Sequence, residues 1–158
     1  MQQFDPNIPG LIEGAVTTVV VLDPANTFPP FEVGNTVLDR KQPFKVAVQW
    51  KVTGLLRPLW LSALGGNWNV QVYAESIGGG PEVLLASDNT VAADPNRSDY
   101  DVTLEVPANS LPEGNPGSNI SGIYKLVVSV FLNSTLGNPG FDMIGFNEGP
   151  IIQIEDPV

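Results

Sequence analysis

The chain has 158 residues, 42% hydrophobic and 15% charged, with seven Lys and Arg against seventeen Asp and Glu for a net charge of −10. That balance belongs to a folding chain, which at this length buries about 70% of its unfolded surface around one substantial core. Cysteine and histidine are both absent, which removes disulfides, the thiol nucleophile, the imidazole base and the commonest zinc ligands.

The surplus of acid opposes nucleic acid and anionic membrane surfaces. It is uneven: residues 1–57 carry five acids and five bases, whereas residues 58–158 carry twelve acids against Arg97 and Lys125. Little catalytic machinery is left, and the expectation is a protein that is not an enzyme and carries no cofactor, with calcium kept open as one possibility.

Residues 1–14 read as an extended amino-terminal segment with no basic start and no long apolar stretch, so no signal peptide is expected. The early apolar run at 15–22, broken by Thr17 and Thr18, falls short of the roughly 20 residues of a spanning helix and reads as the first strand. If the chain is a whole gene product, these features favour a cytoplasmic location. Phe28-Pro-Pro-Phe31 reads as a rigid crossover or as a polyproline docking segment.

The clearest strand is 44–53, where Phe44, Val46, Val48, Trp50 and Val52 alternate with Lys45, Ala47, Gln49, Lys51 and Thr53. A second runs from 68 to 76, with Trp68, Val70, Val72 and Ala74 opposite Asn69, Gln71, Tyr73 and Glu75. Between them the Gly65-Gly66 pair suggests a two-residue hairpin turn, which makes 58–64 a short strand with Pro58 at its start.

That intervening segment is also the most apolar of the chain. Leu55, Leu56, Leu59, Trp60, Leu61 and Leu64 fall within ten residues, and alternation cannot hide all of them on one side of a short strand. Either the segment is buried on both faces or part of it is a contact surface for another protein or another copy of this chain.

Farther on, 77–82 closes a hairpin into 83–87, and 101–106 alternates as a strand with Asp99, Asp101 and Glu105 on its polar face. Carboxylates spaced about 6.6 Å along a strand lie in the range used by glycosidases, but the pattern turns them to water and favours a solvated face. The stretch from Asp94 to Glu105 also offers oxygen ligands at the first, third, fifth and twelfth positions of an EF-hand-length loop. Asp99 stands where such a loop needs glycine, so a local polar turn competes with a calcium site built from Asp88, Asp94, Asn96 and Asp99.

Residues 123–132 are apolar on both faces and read as a central strand, and 150–155 as the last. The intervening loop, 133–149, carries Phe141, Met143 and Phe146 and is a second candidate contact surface. Eight or nine strands with no helix describe an all-β chain, a single antiparallel β-sandwich domain over 1–158.

Gly122, Tyr124, Leu126 and the alternating valines after them resemble the tyrosine-corner segment of immunoglobulin-like domains. The resemblance implies an immunoglobulin-like or fibronectin-III-like sandwich, with Leu126 where antibody-type domains carry their second disulfide cysteine and Trp50 as the core tryptophan. It implies no particular function. The favoured expectation is a non-catalytic structural or protein-interaction module, self-associating or part of a larger assembly. The alternative is a carbohydrate- or calcium-binding module that stacks sugar on Trp60, Trp68 or Tyr73.

Overall fold

The computed structural model describes residues 2–22, 37–133 and 142–156. Nine strands form two sheets around one buried cluster: β1 (Gln2–Asp5), β2 (Glu13–Leu22), β3 (Val37–Asp39), β4 (Phe44–Thr53), β5 (Asn67–Ser76), β6 (Glu82–Ala92), β7 (Asp99–Val106), β8 (Ile123–Leu132) and β9 (Met143–Glu155). The larger sheet runs β1-β9-β8-β5-β6, with β3 added in parallel to the far half of β9; the smaller runs β2-β4-β7. All other pairings are antiparallel. The fold is therefore the all-β sandwich expected, and β8 is central, flanked by β5 and β9.

Period-two alternation decides which face is buried. In β4, Phe44, Val46, Val48, Trp50 and Val52 lie in the core, and in β5, Trp68, Val70, Val72 and Ala74 meet them from the opposite sheet. Trp50 stacks on Tyr100 of β7 at 5.6 Å between ring centroids and meets Trp68 edge-on at 5.9 Å, so an aromatic trio bridges the sheets. Tyr100 ends in a polar handle: its hydroxyl donates to the carbonyls of Asp94 and Arg97 and fixes the turn before β7.

Several expectations need correction. A helix is present: α1 (Arg57–Leu64) stands where a short strand was expected. Within 1–14, Gln2–Asp5 is a strand paired with β9, and Glu13 already begins β2. The last strand starts at Met143 instead of 150, so 143–149 of the supposed late loop is sheet. Phe28-Pro-Pro-Phe31 and Phe141 lie outside the described residues. Among the described residues, no helix is long and apolar enough to cross a membrane.

The edges of the sheets are blunted. β6 carries one residue more than β5 between Val70 and Trp68 and another between Val72 and Tyr73, and β2 has an extra residue at Thr17. β7 displays Asp99, Asp101 and Glu105 to solvent, opposite Lys51, Gln49 and Lys45 of β4. Bulges and charge of this kind discourage edge-to-edge pairing with another chain.

Candidate contact surface at one end of the sandwich

The crossover from the smaller to the larger sheet passes through Gly54. Its φ of +118° belongs to glycine, and a side chain there would meet the Leu11 carbonyl. This close approach lets Leu55 N–H donate to the Gly10 carbonyl (3.0 Å) and Leu56 N–H to that of Leu11 (2.8 Å). The chain then turns into α1, with Pro58 in its first turn, where the lost N–H has no helical partner in any case. Gly65, at φ +62°, ends the helix and donates to the Leu61 carbonyl.

A helix explains what a strand could not. At 100° per residue, Leu61 and Leu64 share a face, are wholly buried and plug the end of the core. Trp60 packs half-buried beside them. Leu55 just before the helix and Leu59 in it are left outside, 79% and 70% exposed. Beside them runs a groove of about 290 Å³ lined by Leu56, Leu59, Trp60, Ala63 and Leu64.

The candidate contact residues therefore separate. Leu55, Leu56, Leu59 and Trp60 form a surface, whereas Leu61 belongs to the core because it is on the helix's inner face. Met143 is also buried, pairing with Leu132 at the start of β9, and is withdrawn as a contact residue. Phe146 is half-buried on the outer face of the larger sheet. Sequence reasoning missed the turn docked beside α1, whose Ile8 and Leu11 are 45% and 39% exposed and extend the apolar surface.

The groove is lined by uncharged residues alone. The one charged residue of α1, Arg57, turns away and donates to the Pro95 carbonyl and the Ser98 hydroxyl.

The calcium candidates are not gathered: among the described residues, no three of Asp, Glu, His and Cys come together as ligands. Asp88 accepts from the Thr90 N–H and hydroxyl, and Asp94 from the Asn96 N–H, each capping its own turn. Asp99 is exposed, and its carbonyl accepts from Arg97 Nε at 2.6 Å. Arg97 lies 5.0 Å over the Tyr100 ring and reaches Asp101 at 3.4 Å, so the loop already holds its own cation.

Asp99 and Asp101 border a shallow depression of about 340 Å³ that also includes Arg97, Thr17 and Gln49. Both carboxylates are exposed there, and Glu105 lies farther along the same strand face. Of the three rings considered for sugar stacking, Trp68 is wholly buried and Trp60 half-buried, while Tyr73 is 38% exposed.

Compared with known proteins, the chain matches no family model and no curated protein.

Proposed function

We propose that the protein is a non-catalytic interaction module that associates with a second copy of itself through the α1 end. The observation that carries this reading is the pairing of a ridge and a groove on one surface: Leu55 and Leu59 project beside the hollow formed by Leu56, Trp60 and Ala63. A two-fold axis brings the ridge of each copy to the groove of the other, as a self-complementary interface requires. Charge is compatible with the same partner, because no ridge or groove residue is an acid and two molecules of net charge −10 repel least where acids are fewest. The bulged and charged edges favour association through such an end over strand addition.

An immunoglobulin-like lineage forms part of the proposal. Tyr124 donates to the Pro112 carbonyl at 2.9 Å, in the manner of a tyrosine corner but across twelve residues.

The test is molar mass by light scattering from about 1 to 100 μM, the range of ordinary reversible dimers. The wild-type chain should approach twice its 16.9 kDa. Leu55→Glu with Leu59→Glu should stay monomeric with an unchanged circular dichroism spectrum and melting temperature. A wild-type monomer at every concentration, or a dimer that survives both substitutions, refutes the proposal.

A further inference from the structure

The outer face of the larger sheet holds a second site, independent of α1. Asn69, Gln71 and Tyr73 alternate with core residues along β5 and so point away from the core. Opposite them, β6 carries its extra residue between Asp88 and Val91. A bulge of this kind re-aims side chains locally, and here a depression of about 170 Å³ lies beside it, lined by Asn69, Gln71, Ser87, Asp88 and Asn89.

The chemistry of the lining is specific. Three carboxamides, Asn69, Gln71 and Asn89, offer paired donors and acceptors, and a serine hydroxyl offers both. Tyr73, the next outward residue of β5, lies outside the lining but is tied to it, its hydroxyl donating to Gln71 Oε1 at 2.7 Å. That bond orients the ring and leaves the Gln71 amino group as donor. Phe131 of β8 stands opposite Asn69 in register, and Val127 opposite Tyr73, so apolar surface adjoins the polar hollow on the same face. Asp88 is the one ionisable residue among those lining the hollow; it pairs with core-facing Val70, and both of its carboxylate oxygens already accept from Thr90.

We infer that this depression binds one ring of a neutral oligosaccharide. A pyranose presents vicinal hydroxyls, each donor and acceptor, around an edge and an apolar C–H face. Carboxamides and a serine hydroxyl satisfy the edge, and the neighbouring oriented aromatic ring receives the face. A flat aromatic ligand alone would leave the amides unpaired at a cost. An anionic sugar meets Asp88 and a net charge of −10 without a compensating cation in the hollow. The site uses none of the α1 residues, so it stands or falls separately from self-association.

The test is a titration of the ¹⁵N-labelled chain with cellohexaose, maltohexaose, mannohexaose and xylohexaose up to about 10 mM, the weak range expected of one shallow subsite. At least one should shift the side-chain amide signals of Asn69 and Gln71, and a uronate hexamer should not. Gln71→Ala and Tyr73→Ala should each weaken binding at least about tenfold, the effect of losing one interaction of about 1.4 kcal/mol. Both residues are solvent-facing, so melting temperature should hold, and Leu59→Glu should bind as the wild type does. No shift with any of the four sugars overturns the inference, as do shifts that persist in Gln71→Ala or stronger binding of the uronate.

Discussion

Phe4 sits between two glycines. Its ring is 8% exposed, and a Cβ built on Gly14 of β2 or on Gly145 of β9 would overlap it. Neither glycine has a positive φ, so alanine suits the backbone at both places, and the atoms nearest a new methyl are those of the ring. Gly145→Ala should therefore expel Phe4 and release β1, forfeiting burial worth about 2–3 kcal/mol for a phenylalanine.

In a chain of this length that corresponds to a fall of roughly 4–12 °C in melting temperature. Phe4→Ala alone should cost about 3 kcal/mol. In the Phe4→Ala background the methyl has room, and Gly145→Ala should stabilise by about 0.5 kcal/mol, because alanine lowers the entropy of the unfolded chain. The sign of one substitution thus reverses with the presence of the other, a coupling of about 2.5–3.5 kcal/mol. Urea unfolding followed by tryptophan fluorescence measures all four corners of the cycle. Equal cost of Gly145→Ala in both backgrounds would refute the clamp.

Two further predictions separate surface from core and set the pH limits. Leu61→Ala should cost about 2–5 kcal/mol and Leu59→Ala within about 0.5 kcal/mol in the monomer, as their burial dictates; similar losses would mean that α1 is rotated. Burial holds the Tyr100 and Tyr124 hydroxyls above their ordinary value of 10.0. The folded state therefore keeps protons that the unfolded chain gives up, and this stabilisation is complete below pH 10 and lost as pH rises through the folded values. Asp156 behaves oppositely: a hydrogen bond from Lys41, with Arg40 also contributing, holds it below 3.8, so its contribution is full at neutral pH and fades below about pH 4. Melting temperatures from pH 2 to 11 should show both limbs, and Tyr100→Phe should flatten the alkaline one; a curve level to pH 11 would contradict the tyrosine argument.

The strands that could be read from sequence were those whose alternation is complete, such as 44–53 and 68–76, because a half-buried sheet writes period two into the chain. α1 was obscured by its shortness. Eight residues give barely two turns, and Gly65-Gly66 is as good a hairpin turn as a helix stop. The legible signal was the combination of Pro58 near the start, Leu61 and Leu64 three apart, and glycine immediately after. β1 was obscured because its reason lies elsewhere in the chain: Phe4 is buried by glycines 10 and 141 positions away. The surplus of leucine was legible as an anomaly, but its division into a plug and a ridge needed the helical phase. The hollow beside β6 was not legible at all, since a bulge arises from how two strands pair and leaves no mark in either alone.

β9 hosts β1 along its first half and β3 along its second, with Gln2 opposite Asn147 and Val37 opposite Gln153. During synthesis, β1 and β3 leave the ribosome with no template to pair against until almost the whole chain has followed. The larger sheet is thus assembled late and from distant parts, a route that is slow wherever pairing spans the sequence. A truncated product lacking β9 would leave two orphaned ribbons and the flank of β8 open, a ready target for cellular quality control.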